Sequence, residues 1–189
     1  MVLEIIGQAI GIVAMAFNVL SFQAKNSKGI IIFQFFGGMF FSINFLLIGS
    51  YIGAMLNFLG MLRALFFAFR DKWHLSKTWL TVVFCVLFVC TYPVLFTVFS
   101  KPFSVFNAII EIIPVCSMIL STFAYGVEAK KFRILALIYS PMWLAYNIVV
   151  FSIGAIISET LCIISAIVAL IRYKRKENNV QNNNRQTCR

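Results

Sequence analysis

Charge is scarce in this sequence, and negative charge most of all. Of 189 residues 12% are charged, and six Asp and Glu stand against 16 Lys and Arg. A soluble domain carries about 25% charged residues, so a water-soluble fold is excluded. Histidine occurs once, as His74 in a basic stretch beside Trp73, and no Asp lies inside an apolar run, so a metal centre has no ligand set. The chain has neither GxSxG nor HExxH. No enzymatic activity and no cofactor are expected. The five cysteines form no CxxC, their count is odd, and four sit in apolar runs. They read as small apolar helix residues rather than as a disulfide framework. The N-terminus carries Glu4 and no basic segment, so no cleaved signal peptide is expected.

Long uncharged runs fill the space that charge vacates. Hydrophobic residues make up 61% of the chain, and its mean hydropathy is +0.93. The central run, residues 78–99, has no charge; as a helix it would be about 33 Å long, enough for a hydrocarbon core of about 30 Å. Pro93 inside it reads as a kink supported by neighbouring helices. Similar runs lie near 3–22, 30–48, 52–69, 103–125, 134–151 and 153–173. The expectation is an all-α membrane protein of seven transmembrane helices. It divides into a first triplet (1–70), a basic loop and linker helix (71–100), a second triplet (101–173) and a disordered basic tail (174–189), polar and rich in Asn.

Alternating the seven runs puts 15 of the 16 basic residues on one side and leaves only Lys101 on the other. By the positive-inside rule the N-terminus is outside and the C-terminus cytoplasmic. The same rule accounts for the net charge of +10, so no nucleic-acid partner is expected. The lipid bilayer is the expected partner, and association with further copies of the chain is left open.

A shift of 103 positions brings the halves into register. Glu4, Gln8, Gly11, Met15 and Asn18 fall on Asn107, Glu111, Pro114, Met118 and Ser121; Phe40 falls on Trp143 and Asn44 on Asn147. After a two-residue slip Ile52-Gly53-Ala54 matches Ile153-Gly154-Ala155. Two triplets separated by one linker helix run in the same direction, the parallel-repeat arrangement.

Few residues in the runs can carry chemistry. Glu159, facing lipid, would cost about 2.5 to 3.5 kcal/mol, so it is expected to face the interior, with Ala155, Cys162, Ala166 and Ala169 on its side of the helix. It lines a solute site, or it is a structural carboxyl held by hydrogen bonds or an Arg. Arg63 snorkels to the interface or pairs with Glu111 or Glu159. At six residues' spacing it does not share the face of Asn57. Gln8 and Glu111 flank the outer entrance or sit at headgroup level. Asn44 and Asn147 bond across the pseudo-twofold or cap helices. Gly7 and Gly11 let helices approach closely.

The 3+1+3 plan resembles the SWEET and PQ-loop superfamily. Ser21-Phe22-Gln23-Ala24-Lys25-Asn26-Ser27-Lys28-Gly29 is similar to the PQ-loop signature, with Phe22 in the proline's place. The segments NSKGIIIFQFFGGMFFSINFLLIGSYIGAMLNFLGMLRAL and MWLAYNIVVFSIGAIISE resemble the YgjV-like family of bacterial inner-membrane proteins, over residues 5 to about 173. SWEET-like transporters line their sugar site with a Trp on the second helix of a triplet and an Asn on the third. Trp143 and Glu159 resemble that pair in the second half, and Ser42 or Phe40 with Asn57 in the first. The resemblance implies a central site lined by Asn57 and Glu159, with Trp143 stacking on the solute. It also implies a bacterial cytoplasmic membrane location and transport of a small polar solute by alternating access. The alternative is a receptor or assembly partner built on a transporter-like fold.

Overall fold

The computed structural model describes the backbone of residues 2–23, 27–124 and 129–187, and the side chains of 2–21, 32–124 and 131–175. Lys25, the side chains of the PQ-loop-like stretch after Ser21, and those of Lys130 and most of the tail lie outside these. Among the described residues the chain forms seven α-helices and no strand: α1 (Val2–Gln23), α2 (Ser27–Leu47), α3 (Tyr51–Phe69), α4 (Lys77–Thr97), α5 (Val105–Phe123), α6 (Ala129–Val149) and α7 (Ile153–Thr187). Six are long and apolar enough to cross a membrane, and α2 contributes the shorter apolar stretch Ile32–Leu47. In lipid a helix satisfies every backbone group internally. Pro93, Pro114 and Pro141 are accordingly housed inside helices. Large apolar side chains such as Leu3, Val82, Phe103 and Ile164 lie on the outside, where a bilayer would cover them.

The helices close into a ring. α1 packs on α2, α2 on α3, α3 on α5, α5 on α6, α6 on α7 and α7 back on α1, while α4 braces α3 and α5. Each triplet therefore has its second helix in the middle. Across the ring α2 meets α6 through aromatic rings: Phe45 lies 6.2 Å from Trp143 and 6.3 Å from Tyr146. At the α1–α7 seam Gly154 faces Gly11 so closely that a Cβ on Gly154 would collide with the Gly11 carbonyl.

The two tight turns share one hydrogen-bond pattern, offset by 102 positions rather than 103. In the α2–α3 turn Ile48, Gly49 and Ser50 donate their N–H groups to Asn44, Leu46 and Phe45; in the α6–α7 turn Val150, Phe151 and Ser152 donate to Tyr146, Ile148 and Asn147. Every donor and acceptor moves by 102 positions, with no slip between. Asn44 thus corresponds to Tyr146, not Asn147, and Phe41, not Phe40, to Trp143. Both turns need a left-handed residue: Gly49 at φ 77° and Phe151 at φ 56°. Glycine takes that conformation freely and phenylalanine does not.

The tail also differs from expectation. α7 continues past its apolar span, which ends at Arg175, to Thr187. Residues 174–187 contain no Gly or Pro and several strong helix formers, Lys, Arg, Glu and Gln, so helix outlasts the apolar residues.

Candidate functional site

Two ends of the bundle frame the site. One carries the tight turns, the other the loop at 70–77 and the basic residues Arg172 to Arg175. The turn end is shut by hydrogen bonds between the halves. Ser152 Oγ donates to Asn44 Oδ1 at 2.8 Å, and Asn44 Nδ2 donates to the Gly7 carbonyl at 2.8 Å. Ser50 Oγ and the Tyr146 hydroxyl, which stand in the equivalent relation, are 2.6 Å apart. Gln8 ties α1 to the α6–α7 turn, donating to the Phe151 carbonyl at 2.6 Å and accepting from the Ile153 N–H at 3.0 Å. Tyr146 also donates to Glu111 Oε2 at 3.3 Å, and Glu111 pairs through Oε1 with Lys101. The one basic residue assigned to this side thus neutralises a carboxylate that is 2% exposed. Gln8, Glu111 and Asn44 belong to this closure. The Asn44–Asn147 bond proposed on the sequence is replaced by Asn44–Ser152, because of the one-residue register difference.

Below this closure a cavity of about 180 Å³ runs between the halves toward the basic end. Its wall includes Phe41, Phe45, Asn57, Arg63, Trp143, Asn147 and Glu159, with Asn18 and Gln34 further along. Three pairs in that wall, Phe41 with Trp143, Phe45 with Asn147 and Asn57 with Glu159, stand 102 positions apart. The Ser140 hydroxyl lies beside Glu159 and donates to the Cys162 sulfur at 3.4 Å. Asn57 Nδ2 donates to the Gly53 carbonyl of its own helix at 2.9 Å. The Asn147 side-chain oxygen is buried and has no hydrogen-bond partner among the described residues.

Arg63 departs from the snorkelling expectation. It is 6% exposed, so it does not snorkel. Its Nη1 donates to Met118 O at 3.0 Å, Ser121 Oγ at 2.9 Å and Thr122 Oγ1 at 2.6 Å, and the guanidinium lies 5.3 Å from the Phe88 ring centroid. It pins α3 to α5 while touching the cavity that Asn57 also lines. Its side chain is long enough to cross faces that backbone angle alone keeps apart.

Two first-half candidates lie off the wall. Ser42 Oγ donates to Ala54 O at 2.9 Å, and Phe40 stacks on Phe17 at 5.4 Å. Phe41 takes their place, because one residue along a helix turns the side chain by 100°. Asn18, which donates to Ser158 Oγ at 2.7 Å, and Gln34 are wall residues that sequence reasoning left out. Each is a lone amide in an apolar run, which is the signal that could have found it.

The sequence matches the family model Imp-YgjV, described as a bacterial inner membrane protein, over residues 5–177. No curated protein and no solved structure matches the chain.

Proposed function

We infer that this chain, which belongs to the Imp-YgjV family of bacterial inner-membrane proteins, carries a small polar solute across that membrane. Its two triplets rock about the central cavity and expose it to each side in turn. The observation supporting this reading is the cavity: repeat-related side chains line it, and hydrogen bonds between the halves shut it at one end. With the basic loops cytoplasmic, the shut end is the outer one. The volume suits a solute well below the roughly 300 to 1,000 Å³ of drug-sized pockets. A receptor or scaffold on this fold would fill the axis with Phe and Leu, and the chain has 21 Phe to do so. Amides, a carboxyl and a guanidinium around an open space favour solute handling instead.

The test is the thermal stability of the purified protein in detergent against sugars, polyols, amino acids and organic ions. A ligand at 100 times its dissociation constant adds about 2.7 kcal/mol. A solute that stabilises the wild type, loses its effect in Glu159→Gln and enters liposomes holding the protein establishes the reading. A folded protein that neither binds nor moves any solute refutes it.

A further inference from the structure

The two halves of the cavity wall are equivalent in position and unequal in chemistry. Going from the first half to the second, Phe45 becomes Asn147, Asn57 becomes Glu159 and Phe41 becomes Trp143. Each change adds a hydrogen-bond acceptor or a more electron-rich ring. The Asn147 side-chain oxygen is buried without a partner, and a buried acceptor left unmade is costly. Glu159 brings an acceptor-rich carboxyl to the wall, and the nearby Ser140 hydroxyl donates to the Cys162 sulfur. Phe45 and Trp143, 6.2 Å apart, add the ring faces that attract cations, tryptophan most strongly. Arg63, the cation on the wall, stands six residues beyond Asn57, about 9 Å further from the turn end along α3, with its guanidinium bonded to α5.

We propose that the solute presents a protonated amino group to the second-half wall, held by Glu159 and the Asn147 oxygen beside the contacting rings of Phe45 and Trp143. This rests on the cavity being a solute site, as inferred above. An amine meets every group there: it donates to two acceptors, balances one carboxyl and stacks against the rings. A neutral polyol leaves the carboxyl without a counter-charge, and a carboxylate solute meets like charge.

Ethanolamine, ethylene glycol and glycolate differ only in that one group, and putrescine extends the series. Full-length protein in detergent is titrated with each, with melting temperature as the readout. The amines are expected to raise it, with the diol and the acid giving no shift at tenfold higher concentration. Glu159→Gln is expected to weaken amine binding roughly tenfold or more, as loss of a charged hydrogen bond does; Asn147→Ala weakens it less, and Glu159→Asp retains it. Ethylene glycol or glycolate binding as tightly as the amines overturns the proposal while leaving the solute site intact. Amine binding unchanged in Glu159→Gln and Asn147→Ala also overturns it. If sugars, amino acids and ions of every class fail to bind or move as well, the transport reading falls and this proposal with it.

Discussion

Asn57 and Glu159 stand 102 positions apart, the offset of the two tight turns, and line the same cavity. One wall presents an amide, the other a carboxyl at the same depth. Ser152 with Asn44 and Ser50 with Tyr146 are contacts related by that same offset.

The closure at the turn end is open to direct perturbation. Ser152→Ala leaves Asn44 Oδ1 buried without its donor and is expected to cost about 1 to 3 kcal/mol of stability. It is also expected to open the turn end. A cysteine placed at Asn147, in a background free of native cysteines, should then react faster with a membrane-impermeant thiol reagent from that side. Unchanged labelling would mean that this hydrogen bond does not hold the end shut.

The α1–α7 seam depends on the absence of a side chain. Gly154→Ala puts a methyl group against the Gly11 backbone, and the overpacking is expected to cost about 1 to 3 kcal/mol or more. Gly49→Ala, with open space around its Cβ but φ at 77°, strains only the turn. Melting temperatures in detergent are expected to fall much further for Gly154→Ala.

Lys101 and Glu111 make an asymmetric pair, with side chains 29% and 2% exposed. Removing the lysine strands a buried carboxylate, whereas removing the carboxylate's charge leaves a lysine that can reach water. Lys101→Ala should therefore destabilise by about 1 to 3 kcal/mol, and Glu111→Gln by less. The reverse order would show that the ion pair is not what closes α5 onto the turn end.

Arg63 holds the α3–α5 seam through three neutral oxygens. Arg63→Leu leaves Ser121 and Thr122 without that donor and is expected to cost more stability than Arg63→Lys, which keeps the charge but not the planar fork. Thermal melts of the two variants compare them directly.

How far this was legible in the sequence follows from the kind of signal each residue gave. Glu159, Asn57 and Trp143 converge on one cavity, and each was visible as a polar or amphipathic residue stranded in an apolar run. Phe41 was not, because a register of 103 rather than 102 selects Phe40, and hydrophobicity alone does not tell adjacent phenylalanines apart. The Ile-Gly-Ala match suggested a slip that the hydrogen bonds of the two turns exclude. Arg63 was misplaced because its backbone angle says nothing of where a long side chain ends. The middle position of α2 and α6 in their triplets depends on packing between segments, which periodicity within one segment does not encode.

The most direct test of the central claim is solute flux into liposomes holding the purified protein, wild type beside Glu159→Gln, with the solute that gives the largest thermal shift. Uptake by the wild type, saturating with concentration and reduced roughly tenfold or more in the variant, is the predicted result. Tight binding with no flux, or flux indifferent to Glu159→Gln, would contradict it.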